Sequence, residues 1–227
     1  MKWLFFDIGS TLVNEETFDK YLFGYVYEMI ERSGAKITHE DFDEALKRII
    51  EERSFGGAAY FGLVKRLTEH FSSDKKIMLK IVERYKRYAL KRYLEKMEPY
   101  PDALKTVSEL SRRFKLGIIA NQPVDTRQRI NSFGLAEYFS VTVLSEQVKL
   151  RKPNTRIFQL ALKMAECSPE DSTMIGDRLD IDIGPSKVLG FRTIRVKQGV
   201  MVNLNPINDF EIPDYEVNNL KELLAIL

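Results

Sequence analysis

Short, mostly apolar runs recur through this chain, separated by amphipathic stretches of helical length. WLFF (residues 3–6), GIIA (117–120), VTVL (141–144), TMIG (173–176) and FRTIRV (191–196) are too short for helices and, for the most part, too continuously apolar for strands with one wet face. A strand covered on both faces needs such a run. Between them lie helical patterns at Ala103 to Arg113, Asp125 to Phe133, Thr155 to Ala165 and Ile183 to Leu189, and NNLKELLAIL closes the chain as another. Strands regularly alternating with helices predict a parallel sheet covered on both sides, an α/β three-layer Rossmann-like core. VNLNPINDFEIPDYE, with two prolines and sparse periodicity, reads as loop plus a short strand.

The alternation is interrupted once. From Thr17 to about Lys96 the pattern is helix after helix. Phe18, Tyr21, Leu22, Tyr25, Met29 and Ile30 recur at helical spacing. Thr38 and Asp41 form a capping-box pattern ahead of Phe42, Leu46, Ile49 and Ile50, and further helices are expected over Tyr60 to Phe71 and Lys75 to Leu94. FGG (55–57) and HFSSD (70–74) are the breaks. The expected organisation is a core of residues 1–14 and 98–227 with an all-helical domain, 15–97, inserted after the first strand.

A formal charge of +2 spread over 35 basic and 33 acidic residues sets up no strong field, so no nucleic acid and no membrane surface is implied. RRFK (112–115) and KLRK (149–152) read as solvated faces. The apolar run before Asp7 is too short for a signal peptide or a membrane span, which predicts a cytoplasmic protein. The single cysteine, Cys167, permits no internal disulfide and reads as a packing residue. With only His39 and His70, no zinc-site spacing exists; both lie in or beside the helical block and no GxSxG elbow is present, which argues against a Ser/His/Asp hydrolase. Oligomeric state is not encoded in any of these features.

Three strand ends carry polar residues: Asp7 after WLFF, Asn121 after GIIA and Asp177 after TMIG. In a parallel sheet such ends lie on one edge, where ligands bind in open α/β folds. Asp180 and Asp182 in GDRLDID add negative charge to the same corner. Crowded carboxylates are costly without a cation, and oxygen ligands around a small open site favour Mg²⁺. Lys152, just before Pro153, can bring a positive charge to that edge. Taken singly, each has an ordinary reading: an Asp after a strand is usually a turn or cap residue, and a lone Lys is usually on the surface. Their fixed order within one α/β pattern is far more specific.

In that order the sequence resembles the haloacid dehalogenase (HAD) superfamily of hydrolases, with a helical cap domain inserted after the first motif. The resemblance runs through FFDIGSTL, PYPDALKTVSEL, GIIAN, RKPNTRIF and MIGDRLDIDIGPSKVLGF, nearly the whole chain. It implies that Asp7 is the nucleophile, forming a covalent phosphoaspartate or ester. It also implies that Asp7, Asp177 and the Gly9 carbonyl hold Mg²⁺ with support from Asp182. Lys152 would steady the nucleophile and the transferring phosphoryl group, and Thr11 and Asn121 would help to bind phosphate. The implied substrate is a small phosphorylated metabolite.

Two positions depart from the pattern. Phosphatases of this superfamily carry DxDxT, whose second Asp protonates the leaving oxygen and then activates water; here that residue is Gly9. The second motif normally ends in Ser or Thr before Asn; here it is Ala120. Loss of a positioned proton-transfer group costs about 10²- to 10⁴-fold in rate, roughly 3 to 5 kcal/mol. Taken alone, Gly9 therefore predicts activity on activated leaving groups, slow alkyl-phosphate turnover and a persistent phosphoaspartate. Glu15, Glu16 and Asp19 in NEETFD are near enough in sequence to supply the acid, although acidic residues at a helix start are commonly dipole partners. The alternatives are dehalogenase- or phosphonate hydrolase-like chemistry on Asp7, which MIGDRLDID and the lack of a singled-out lysine in the helical block oppose. The other is a catalytically retired, HAD-fold binding protein.

Overall fold

The computed structural model describes residues 2–55, 59–72, 74–85, 87 and 90–227. The chain begins with β1 (Trp3–Phe6) and β2 (Val13–Asn14). Five helices follow: α1 (Glu16–Glu31), α2 (His39–Glu51), α3 (Ala59–Phe71), α4 (Lys75–Arg84) and α5 (Leu90–Lys96). Then come β3 (Glu98–Pro99), α6 (Ala103–Ser111), β4 (Lys115–Ala120), α7 (Thr126–Ser132), β5 (Phe139–Leu144), α8 (Ser145–Val148), α9 (Arg156–Ala165) and β6 (Ser172–Gly176). The last elements are α10 (Gly184–Val188), β7 (Arg192–Val196), β8 (Tyr215–Val217) and α11 (Leu223–Ile226). By contacts these fall into two compact units, one of residues 1–15 and 97–227, the other of residues 16–96.

The first unit is built on a six-stranded sheet in the order β5-β4-β1-β6-β7-β8, every pairing parallel. It is the expected Rossmann-like α/β core. All four residues of β1 are buried, as their uninterrupted apolarity requires of a central strand. Trp3 and Phe5 stack at 5.5 Å, and Phe5 meets Phe191 edge to face. They join Val141, Val143, Phe158 and Leu162 in one apolar cluster, against which Cys167 packs partly buried. Strand order reverses at β1: the chain winds outward to β4 and β5 on one side, then to β6, β7 and β8 on the other. The C-terminal edge beside β1 is thus the topological switch point, the crevice such folds use for ligands. A cavity of about 530 Å³ lined by Trp3, Lys115, Glu166, Cys167 and Asp171 lies at the other end of these strands.

A small antiparallel ribbon, β2 with β3, pairs Val13 with Pro99 and Asn14 with Glu98. The chain therefore leaves the first unit and re-enters it side by side, with Tyr100 N donating to Leu12 O at 3.1 Å. The closing segment is less regular than its periodicity predicts: a 3₁₀ turn, Leu220–Glu222, precedes the single turn of α11, with Leu220 and Leu223 buried. The loop reading of 202–216 also holds, with a 3₁₀ turn at Asp209–Glu211 before β8.

In the helical unit α1 buries Phe18, Leu22, Val26 and Ile30, a strict i, i+4 row. Tyr21, expected inward, lies at the margin of that row with the Lys96 ammonium over its ring, and Val26 takes a core place the aromatic pattern did not mark. The Thr38 capping box is present: Asp41 N donates to Thr38 Oγ1 at 3.1 Å and Thr38 N to Asp41 Oδ2 at 2.8 Å. Asp74 caps α4 through Lys76 N at 2.8 Å. Of the expected breaks, Gly56, Gly57 and Ser73 lie outside the described residues. The helix expected over 75–94 is described as α4 and α5, with Tyr85 and Arg87 in a wider, π-type turn between them; Lys86, Tyr88 and Ala89 lie outside the described residues. Among the described residues no helix is long and apolar enough to cross a membrane.

Loss of the capping side chain should be felt locally. Thr38→Ala strips Asp41 N of its acceptor, and a helix stability loss of about 1 kcal/mol is expected. Urea unfolding followed by circular dichroism would show a lower midpoint, with Thr38→Ser close to the parent.

Candidate active site

Parallel register brings the polar strand ends together. Phe6 pairs with Ile118 on one side and Ile175 on the other, so Asp7, one residue on, stands level with Gly176 and just short of Asp177. Asp7 N continues the ladder, donating to Ile175 O at 2.9 Å. Beyond it the backbone turns sharply: Thr11, Leu12 and Val13 N–H groups all converge on Ile8 O at 2.9 to 3.3 Å, and Ser10 takes the left-handed conformation, φ 50°. A non-glycine residue there is uncommon and strained.

Lys152 is the centre of the charge arrangement. Its Nζ is wholly buried, 2.6 Å from Asp7 Oδ1 and hydrogen-bonded to Asp182 Oδ1. The reading of KLRK as a solvated face thus fails at its last residue, whose side chain has two buried partners. Burial by itself would lower the Lys152 pKa, but the Asp182 and Asp7 carboxylates hold the ammonium above its ordinary range. The backbone is pinned as well. Asn121 Nδ2 donates to Lys152 O at 2.9 Å and Lys152 N donates to Asn121 Oδ1 at 2.8 Å, across a Lys152–Pro153 peptide that is cis. Asn121 therefore sets where Lys152 stands; its amide oxygen is committed to that backbone.

Asp182 reaches the same point through a π-turn, Leu179–Ile183, that opens α10. Such single wide turns recur at functional sites because they aim a side chain off the helical register. Its Oδ2 accepts from Arg178 N at 3.1 Å. The carboxylate lies so close to Gly176 that a Cβ there would stand 2.6 Å from Asp182 Cγ, so the last residue of β6 has to be glycine. Asp180, grouped with these residues on sequence, is turned away: Arg178 Nε donates to it at 2.8 Å in a local ion pair. Two residues along the turn is a different direction, which a spacing argument for the whole GDRLDID run does not resolve.

Asp7, Asp177 and Asp182 each present a carboxylate oxygen within 4.8 Å of the other two, and all three residues are buried. Burial, then the charges of Asp182 and Asp7, push the Asp177 carboxyl well above its ordinary value, while burial lifts Asp182 to about 6 against the pull of Lys152. Asp177 Oδ1 is buried without a hydrogen-bond partner. A buried anionic oxygen with no donor is costly unless something positive meets it. Three hard oxygen donors with one left open suit a small divalent cation such as Mg²⁺. The Thr11 hydroxyl, at the end of the same turn, is likewise buried and unpartnered.

The three acids of NEETFD separate completely. Glu16 is exposed and pairs with Lys20 at 2.6 Å. Asp19 accepts from Tyr60 within the helical unit, burial raising its pKa to about 6. Glu15 is buried in the first unit, where Ser10 Oγ donates to its Oε2 at 2.8 Å. Its carboxylate lies against Gly9: a Cβ on that glycine would be 2.7 Å from Glu15 Oε1.

The chain as a whole is similar to known proteins. The family model of haloacid dehalogenase-like hydrolases matches residues 1–190. Over its full length the chain is 26% identical to a glyceraldehyde 3-phosphate phosphatase of Methanopyrus kandleri, covering 97% of that protein. It is 28% identical to a protein of the same name from Methanocaldococcus jannaschii, with 100% of this chain and 97% of that one covered. Among solved structures, a HAD phosphatase from Thermococcus onnurineus is similar with a TM-score of 0.65 at 26% identity, over 100% of this chain and 97% of that chain. The chain belongs to the haloacid dehalogenase-like hydrolase family.

Proposed function

We propose that this hydrolase is a Mg²⁺-dependent phosphatase that forms a phosphoaspartate on Asp7 and acts on a small phosphorylated metabolite. The observation that carries the reading is the buried set of Asp7, Asp177 and Asp182, in which Lys152 answers Asp7 and Asp182 and nothing answers Asp177 Oδ1. A carboxylate meant only to hold a turn would have its oxygens satisfied locally; this one is aimed into a site that needs a cation. Asp7, Asp177 and Asp182 are the residues that would hold Mg²⁺, with the Gly9 carbonyl as a further oxygen. When bound, the ion supplies positive charge to the phosphoryl oxygens.

The remaining work falls to the protein's own groups. The Asp7 carboxylate attacks phosphorus while Lys152, already charged and desolvated, offsets the negative charge of both nucleophile and phosphoryl group. Because the ammonium is fixed before substrate arrives, no reorganisation is needed at the moment of reaction. The unpartnered Thr11 hydroxyl supports a role as donor to a phosphate oxygen. In the second motif Ala120 offers no hydroxyl, so phosphate binding in this chain rests on Thr11, Lys152 and the second Nδ2 hydrogen of Asn121, whose amide oxygen is committed to Lys152 N. The helical unit, residues 16–96, takes the part of a cap that selects the substrate. The full-length relatives named for glyceraldehyde 3-phosphate make that ester the first one to test.

Hydrolysis of glyceraldehyde 3-phosphate or nitrophenyl phosphate should appear with Mg²⁺, vanish with EDTA, and fall at least about 10³-fold in Asp7→Asn, which removes the nucleophile. Phosphate release assays on parent and variant decide this. Activity that survives both treatments would reject the mechanism, and a blank across phosphorylated metabolites would favour the binding-protein alternative.

Asp177→Ala should weaken Mg²⁺ binding by at least about tenfold in calorimetry, the effect of losing one charged ligand from a small site. The fold should hold, because the substitution removes a buried polar oxygen that has no hydrogen-bond partner. Unchanged affinity would sever Asp177 from the metal.

A further inference from the structure

The missing second carboxylate of the first motif leaves a question about proton transfer, and the local packing answers it. Gly9 has no positive φ, so its backbone would accept a side chain. What prevents one is Glu15. A Cβ at residue 9 would meet Glu15 Oε1 at 2.7 Å, with Cδ and Oε2 each at 3.0 Å. The space that a side chain on residue 9 would enter is taken by a carboxylate that comes from six residues further along.

That carboxylate is built in rather than draped over the surface. Glu15 is 8% exposed, and it follows β2, whose pairing with β3 fixes the backbone just before it. Ser10, in the strained left-handed conformation, donates from Oγ to Oε2. Gly199 closes over Ser10 so tightly that a Cβ there would stand 2.2 Å from Ser10 Oγ.

From this placement, and resting on the phosphatase reading above, we infer that Glu15 is the general acid and base of the reaction, supplied in place of a carboxylate on residue 9. In the first step an Asp7 oxygen bonds to phosphorus, the bond from phosphorus to the ester oxygen breaks, and the Glu15 carboxyl proton passes to that oxygen, releasing the alcohol. In the second step Glu15, now a carboxylate, takes a proton from water as the water oxygen bonds to phosphorus. The bond from phosphorus to Asp7 breaks, releasing phosphate and returning both carboxyl groups to their starting states. Gly9 is then an accommodation of Glu15 rather than a lesion. The slow alkyl-phosphate turnover and lasting phosphoaspartate that Gly9 alone predicts should be absent from the parent and should appear once Glu15 is removed.

The test compares glyceraldehyde 3-phosphate with nitrophenyl phosphate, whose leaving group needs no proton, in parent, Glu15→Gln, Glu15→Ala and Glu15→Ala/Gly9→Asp. Glu15→Gln should lower alkyl-phosphate turnover by about 10²- to 10⁴-fold, the usual share of a positioned acid or base. On nitrophenyl phosphate it should keep a burst of nitrophenolate close to one per active site, then turn over slowly, with the phosphoryl group found on Asp7 by mass spectrometry of acid-quenched protein. Gly9→Asp placed on Glu15→Ala should recover at least about tenfold of the alkyl rate. A loss shared equally by both substrates with no trapped phosphoaspartate, or no loss, would overturn the assignment. Should Glu15→Gln melt below the assay temperature, a folded Glu15→Ala/Gly9→Asp no faster than Glu15→Ala on alkyl phosphate would overturn it instead. If the parent hydrolyses no phosphate ester, or does so equally well as Asp7→Asn, the phosphatase reading falls first, and this inference with it.

Discussion

A single buried ammonium sets the terms for the site. Lys152 Nζ has no access to solvent, and its partners are two carboxylates, Asp7 at the end of β1 and Asp182 in the π-turn that opens α10. Taking one such charge out of water costs several kcal/mol, and removing either partner of a buried pair typically costs about 3 to 5 kcal/mol. The arrangement is stable only if all three groups are delivered together, so each has its own support. Asp7 is an extension of the β1 ladder, Asp182 is aimed by a π-turn over a bare Gly176, and Lys152 is gripped at N and O by Asn121. The backbone of the site is determined by what its charges require.

This explains why the core is arranged as it is. A parallel sheet whose central strand is apolar on both faces gives the burial that offsets a polar corner at its edge, and the switch in strand order beside β1 leaves that edge open to a ligand. One end of the three-carboxylate set is neutralised internally by Lys152; the other, at Asp177, is not. The asymmetry separates the two kinds of positive charge that phosphoryl chemistry uses. On the proposed reading the fixed cation is Lys152, part of the fold, and an exchangeable one would bind at the Asp177 oxygen the fold leaves open.

Much of this was legible in the sequence because it rests on period and order. Continuous apolar runs specify buried parallel strands, their polar last residues specify one edge, and the parallel register makes Asp7, Asn121 and Asp177 neighbours without any information about side chains. The Thr38 and Asp41 capping box was equally plain, since its partners are local. What the sequence did not disclose depends on direction rather than on spacing. Asp180 and Asp182 are equivalent in a list of acids, but the π-turn sends one to Lys152 and the other to Arg178. Lys152 looks like a surface lysine in KLRK until two carboxylates are found around it.

Glu15 belongs to the same class of hidden feature, and it bears on how a motif should be read. A pattern such as DxDxT records which residue number carries a group, whereas chemistry needs the group at a place in space. A longer side chain entering from six residues away satisfies the second condition while breaking the first. Its greater rotamer freedom is a real cost, since a free Glu loses about 1.5 to 2 kcal/mol of side-chain entropy when fixed. Here the restraint is built into neighbouring residues: the Ser10 hydroxyl holds one oxygen, the β2–β3 pairing fixes the preceding backbone, and the absence of a side chain at residue 9 leaves room. Each restraint has its own expense, most visibly the left-handed Ser10 beneath Gly199, and strain of that kind persists only where the surrounding structure over-determines it. Strain, burial and a bare glycine meeting at one carboxylate distinguish a built position from an acidic residue that happens to precede a helix.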